Sequence, residues 1–502
     1  MRIIAFILNV LLCTSLFAQQ LDGPYTDPSY VFHGKQAVIR GKILHATAEE
    51  LQQLSINYTT VNPTEPTQTP HTVKPQKDGT FEIRLLDKTP YRQIWFKFDK
   101  YAYTCLYSHE ELTLTFDMEK LKKASVYLTG EGLSFAGKDG KLNQTMNDYI
   151  VYDKKHNSDF YKKIDEIEAD QVNYLSKLDS LYKIQRRVDQ DFLATVGGQF
   201  ARFITSETDL QYMESKLLYF YRKGERLADL QDLLVPAYAV SNNSTAYFRW
   251  LQNYAIRFYQ DPQKQRGDNK AALIALDSVL PQPYADLAKA MMDDKDLKEQ
   301  NNIYGLVIPT MSTVWVKDYL QMQEQEIGDK LAKLEELKKR STMPLGASTF
   351  GEPKMKTTFD ASLYLNKYET AEDLLVNLKS QYKDQLVIID IWGTWCAPCL
   401  AQMPYSKTLH EQVKKDSLDV KFVYLCTEGG SSEEKWTNKV LELQQPGTHI
   451  FVQQPIIDEL FKMFNRSGYP TYVAIKPNGE IDTKAISWIH NVNVDKLKAL
   501  MQ

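Results

Sequence analysis

A chain of 502 residues with 43% apolar and 25% charged side chains has the composition of a globular protein and is too long for one ordinary core, so two or three domains are expected. Its formal net charge of −4 offers no electrostatic basis for a nucleic-acid or polyanion partner. Five cysteines in a chain of this size exclude a fold held together by a disulfide framework.

In chain order, residues 1–18 read as a secretory signal, with Arg2, a short apolar run and a small residue at Ala18 before Gln19. The run is too short and interrupted for a membrane span. Leu12 stands where a lipoprotein signal using Cys13 would need Gly or Ala, so a cleaved leader and a soluble exported product are expected. Residues 19–130 look β-rich. Runs of strand formers occur at 37–43, 55–60, 81–85, 93–98 and 112–116, and Lys77-Asp78-Gly79-Thr80 is a turn signal before Phe81. Four prolines between Thr59 and Pro75 predict a loop there. No catalytic cluster appears in this part, and Cys105 sits in a strand-like context as a buried, inert thiol.

From 131 to 345 the apolar period becomes helical, as in Ile164, Ile167, Leu175, Leu178 and Leu181, and again in Leu320, Ile327, Leu331 and Leu334. Residues 207–260 and 271–300 also read as amphipathic helices, with breaks at Ser241–Ser244 and Asp261-Pro262. The charged run 324–340 predicts a solvated helix face, with a short stripe that could serve a partner helix. Pro344, Gly346, Gly351 and Pro353 mark 341–354 as a linker.

Beyond it the sequence runs L-V-I-I-D-I-W-G-T-W-C-A-P-C, an apolar strand from Leu386 to Ile389 followed by Asp390, Trp392, Trp395 and the pair Cys396 and Cys399. Two thiols separated by two residues at a helix start can close a disulfide across one turn, and the helix end favours the thiolate of the first. Half a zinc site has the same spacing, but no second Cys pair or nearby His pair completes four ligands. Val420–Leu425 reads as a strand holding a second buried thiol, Cys426, at its end, and residues 433–443 read as a helix.

These residues resemble the thioredoxin superfamily: a strand, W-C-x-x-C, a helix with Pro404, then Gly468-Tyr469-Pro470-Thr471 ahead of an apolar strand and the turn Pro477-Asn478-Gly479. With a helical insertion between the two signatures, the layout is similar to the exported TlpA/ResA-like branch, over roughly residues 350–502. The resemblance implies an α/β thioredoxin fold for 346–502, Cys396 as exposed nucleophile, Cys399 as buried resolving thiol and Asp390 as the buried carboxylate that relays its proton. It implies that Pro470 is the cis-proline beside the disulfide, and that Trp395 and Tyr469 meet the substrate. Many relatives carry Ile, Val or Thr where this chain has Tyr469, and a Glu where it has Gln402. Trp392 is expected to pack structurally and His410 to lie at the surface. Residues 19–130 resemble the small β-sandwich domain found ahead of thioredoxin domains in exported bacterial proteins.

The chain thus reads as multidomain: an N-terminal β-sandwich-like domain (19–130), a central all-α region (131–345) and the C-terminal thioredoxin fold. The implied function is an exported, periplasmic or envelope thiol–disulfide oxidoreductase, working as a reductant on protein thiols and disulfides and fed by a membrane electron donor. No cofactor, metal or nucleic acid is implied. Two alternatives stand beside it. A peroxiredoxin-type peroxidase would place Thr or Ser three residues before the reactive Cys, where this chain has Gly393. An envelope binding or scaffold protein would use the first 345 residues, with the thioredoxin domain as an accessory.

Overall fold

The computed structural model describes residues 23–502 apart from 31–35, 66–67, 86–87, 157–159, 169–171, 265–266, 295 and 342–348. The leader read at 1–18 and the middle of the linker read at 341–354 lie outside the described residues. The chain divides into two compact units: one runs to Asp293 and includes Asn302–Gln323, and the other comprises Asp294–Asn301 with Glu324–Gln502.

The first unit is built on two sheets. One orders the strands Thr80–Arg84, Val38–Leu44, Glu111–Asp117 and Leu133–Ala136. The other orders Gln68–Val73, Ile56–Val61, Tyr91–Phe98, Ala102–Ser108 and Val126–Tyr127, with Ala239–Val240 added beside Tyr91–Phe98. Inward-facing residues alternate along both and share one core, in which Phe98 stacks on Phe116 at 4.4 Å between ring centroids. Gly41 is required here, because a Cβ at that position would lie 2.0 Å from the Phe81 ring. The proline-rich segment expected as a loop instead contains the strand Gln68–Val73, paired with Ile56–Val61. It is an edge strand, where Pro70 can lack its N–H without breaking a ladder. Strand structure also continues past residue 130, where the period was expected to turn helical, because Leu133–Ala136 pairs with Glu111–Asp117.

The opposite face of the larger sheet is covered by helices, with Tyr107, Met146, Tyr149, Phe192 and Phe203 in a common core. The helix Gly140–His156 docks through side-chain amides that take the place of a neighbouring strand. Asn147 Nδ2 donates to the Cys105 carbonyl at 2.7 Å while its Oδ1 accepts from the Cys105 N–H at 3.1 Å. Asn143 does the same for Tyr107, at 2.8 and 2.7 Å, and Asp139 accepts from the His109 N–H at 2.9 Å. The match is geometric: four helical residues rise about 6 Å and two strand residues about 6.6 Å. Asn147→Leu is therefore expected to leave a buried peptide N–H and C=O unpaired and to destabilise this unit by about 2–4 kcal/mol. The measurement is a lower urea midpoint for the unit at unchanged denaturant slope.

Ser241–Ser244, expected as a break, is the start of the helix Asn242–Tyr259: Ser241 Oγ accepts from the Ser244 N–H at 3.2 Å, a polar cap of the kind that makes such residues poor in helix interiors and good at their ends.

The second unit carries a seven-stranded sheet in the order Glu352–Lys356, Ala361–Leu365, Gly447–Val452, Val420–Thr427, Leu386–Trp392, Thr471–Ile475 and Ile481–Asp482. Leu386–Trp392, Val420–Thr427, Gly447–Val452 and Ala361–Leu365 are parallel, and Thr471–Ile475 is antiparallel to Leu386–Trp392. Helices cover both faces, so the central strand is buried at all seven positions and reads as a continuous apolar run rather than an alternating one. The strand Glu352–Lys356 begins inside the stretch read as linker. It is an edge strand with a bulge between Pro353 and Met355, which accommodates the proline. The architecture is a sheet-built N-terminal part, a helical middle and a C-terminal α/β domain built on a mixed seven-stranded sheet.

Candidate functional site

The central strand Leu386–Trp392 aims its side chains alternately at two cores. Val387, Ile389 and Ile391 enter one; Leu386, Ile388 and Trp392 enter the other, which also holds Cys396, Cys399 and Met403 of the following helix. The two-residue period places Asp390 on this second face, the face of the cysteines. A disulfide joins Cys396 to Cys399 at the start of the helix Ala397–Lys415. Cys396 is the residue before that helix, and its Sγ accepts from the Cys399 N–H at 3.2 Å, as a capping oxygen would. Pro398 sits in the first turn, where a missing N–H is harmless, and Pro404 lies inside the helix.

Asp390 is 3% exposed, and its Oδ1 has no hydrogen-bond partner among the described residues. Burial alone pushes its carboxyl up to about 8. Its cross-strand neighbours are Tyr424 and Tyr472. The Tyr424 hydroxyl is held at 2.6 Å by Ser406 and at 2.7 Å by Gln445, so it is committed away from the carboxyl.

Cys396 was expected to be exposed; in the disulfide it is 3% exposed and Cys399 is fully buried. The closed bond turns the first sulfur toward the second and leaves Trp395, 43% exposed, as the prominent surface beside it. The indole is fixed from two sides. Its Nε1 donates to the Gly429 carbonyl at 2.7 Å, and its ring meets Tyr469 edge-on, 5.2 Å between centroids. Gly430, at φ +75°, allows the approach, since a Cβ there would lie 2.7 Å from the indole nitrogen. The Tyr469–Pro470 peptide is cis. Trp392 is buried within the core, as its sequence context implied.

Three features of the site were not read from the sequence. The turn Gly429–Gly430 is the seat of Trp395, and Ser431 Oγ accepts from the Thr394 N–H at 3.1 Å, tying the loop before Cys396 to the end of the neighbouring strand. The E-G-G-S-S run after Cys426 was the available signal. Gln402, one turn after Cys399, is buried and its Oε1 accepts from the His490 N–H at 3.2 Å, with His490 Nδ1 at 2.8 Å. His410 is half-buried rather than at the surface, packing against Phe422, and burial holds its imidazole below the usual range. Cys105 and Cys426 are both buried free thiols, each pushed up by burial, Cys105 to about 12.

Residues 384–481 match the family model described as thioredoxin-like. Among curated proteins, the chain is 31% identical over 106 residues to the thiol-disulfide oxidoreductase ResA of Geobacillus kaustophilus, covering 20% of this chain and 55% of that protein. It is 31% identical over 96 residues to the protein of the same name from Oceanobacillus iheyensis, covering 19% of this chain and 46% of that one. The chain thus spans about half the length of the curated relatives it matches. Among solved structures, the thioredoxin domain of a thiol-disulfide oxidoreductase from Bacteroides vulgatus is 19% identical, covers 24% of this chain and 79% of that one, and aligns with a TM-score of 0.20.

Proposed function

We propose that this protein is an exported thiol–disulfide oxidoreductase that reduces protein disulfides through Cys396 and Cys399. One observation carries the reading: a closed disulfide at a helix start, with an unpartnered buried carboxyl, Asp390, on the same face of the sheet. In the reduced protein the Cys396 thiolate attacks a substrate disulfide, forms a mixed disulfide and releases one substrate thiolate. Cys399 then gives its proton to the Asp390 carboxylate and attacks the Cys396 sulfur. The mixed disulfide breaks, the Cys396–Cys399 bond forms, and the second substrate sulfur leaves as a thiolate that takes up a proton. Trp395 and the Tyr469–Pro470 peptide form the surface on which a substrate chain rests.

Export is supported by the leader-like residues 1–18, which would place the protein in the periplasm or envelope, with electrons supplied from a membrane donor. Among the described residues no helix is long and apolar enough to cross a membrane. A peroxidase is disfavoured by Gly393 at the position that chemistry gives to Thr or Ser, and by the Thr394 hydroxyl, which is bonded to Ser431 at 3.1 Å.

The test is reduction of insulin disulfides by the dithiol-reduced protein, run beside consumption of hydrogen peroxide. Insulin turnover without peroxide turnover is the expected result. Peroxide turnover would replace the reading with the peroxidase, and inactivity in both assays would leave the first unit as the working part of a binding protein.

A further inference from the structure

The first unit, to which the redox chemistry assigns no role, contains a cavity of about 330 Å³ between the larger sheet and the helices packed on it. That volume is at the lower end of small-molecule sites. Its walls are aromatic: Trp95 and Tyr107 from the sheet, Tyr149 from the helix Gly140–His156, and Phe160 and Tyr161 from the helix Phe160–Ile167. Tyr161, 53% exposed, stands at the mouth and donates its hydroxyl proton to Asn243 Oδ1. Two carboxylates line the same space, Asp153 and Glu207.

Among the described residues, no lysine, arginine or histidine lines it. The nearby Arg186 is turned to Asp189 and Asp209, each at 3.6 Å. Several planar amides that line the cavity are already spent within the protein. Gln93 donates to the Tyr107 hydroxyl at 3.0 Å and accepts from the Asn242 N–H at 3.0 Å, and Gln185 donates to Asp153 at 2.8 Å. What remains to meet a ligand is a set of ring faces and negative charge. Burial raises the Tyr107 phenol, and the Glu207 charge raises it further. Burial likewise lifts Glu207 itself to about 7, against hydrogen bonds from Ser241 and Asn243, and among the described residues no cationic side chain offsets it.

We propose that this cavity binds a small organic cation, an ammonium group on an apolar body, held by the faces of Trp95, Tyr149 and Tyr161 and by the carboxylates of Glu207 and Asp153. Ring faces attract a cation through their quadrupole, and the attraction strengthens as the site excludes water. The half-buried Glu207 carboxylate, with no cationic side chain beside it among the described residues, is the complementary charge. Amide-rich aromatic pockets also suit polyols, but here the amides of Gln93, Gln185 and Asn243 are engaged with the protein, which favours the cation.

The experiment is calorimetric titration of the full-length protein at pH 8 with 2-phenylethylammonium, its neutral isostere 2-phenylethanol, and glucose. The ammonium compound is expected to bind, with the alcohol at least tenfold weaker. Glu207→Gln is expected to weaken ammonium binding at least tenfold with unchanged circular dichroism and unchanged insulin reduction. Tyr161→Ala, at the exposed mouth, is a second variant with little bearing on folding and is expected to weaken binding severalfold. Equal affinity for the alcohol, binding of glucose without the ammonium, or no heat with any probe would overturn the proposal.

Discussion

Replacing Cys396 by serine is expected to abolish insulin reduction, while replacing Cys399 should leave the first attack intact and halt the cycle at a mixed disulfide. The asymmetry follows from position. Cys396 precedes the helix Ala397–Lys415, receives the Cys399 N–H on its sulfur, and adjoins the exposed Trp395, whereas Cys399 is fully buried in the first turn. In the proposed mechanism the first sulfur meets the substrate disulfide and the second expels the substrate from the first. Cys396→Ser removes the covalent nucleophile, a change of about a thousandfold or more. Cys399→Ser should accumulate a substrate-linked species on non-reducing gels that dithiothreitol releases. Equal loss in both variants with no trapped species would assign the nucleophile wrongly.

Asp390→Asn is expected to slow exchange about a hundredfold at pH 8, the scale of a lost general base. The wild-type rate should rise with pH through about 8 as the buried carboxyl ionises, and that step should vanish in the variant. Stability gives an independent check with a defined sign. The folded carboxyl lies near 8, above its unfolded value of 3.8, so between those values the folded state holds a proton that the unfolded state has lost. Wild-type stability therefore falls as pH rises from about 4 to about 8. The variant escapes this, and its stability relative to wild type should grow by about 3–5 kcal/mol across that window. Thermal melts of the two proteins at pH 4, 6 and 8 read it. A constant offset between them would mean that Asp390 is solvated and that the relay has lost its basis.

Much of the candidate site's layout was legible because its parts are local or depend on residue chemistry. The C-x-x-C spacing closes within one helical turn, and a carboxylate at the end of a continuous apolar run is buried wherever such a run forms a central strand. Gly468-Tyr469-Pro470-Thr471 carried its resemblance in four adjacent residues. Misreadings arose where one residue type serves two settings. Pro70 and Pro353 sit in edge strands, where a missing N–H is tolerated, and Ser241 is a helix cap and not a break. Whether a proline-bearing strand stands at an edge is a property of the sheet, and no window of sequence contains it.

By itself, the sequence determined the chemistry available to this protein: two thiols one turn apart, a carboxylate six residues earlier in an apolar strand, and aromatic residues beside both. Only the tertiary structure decided that Asp390 shares a face with the disulfide and lacks a partner among the described residues, that Trp395 is seated on Gly429 and Gly430, and that Trp95, Glu207 and Tyr161 enclose one cavity. The reason is range. A reactive pair is written in consecutive residues, whereas a carboxyl's proton affinity and a cavity's charge are sums over groups that come from distant segments and meet only when the chain has folded.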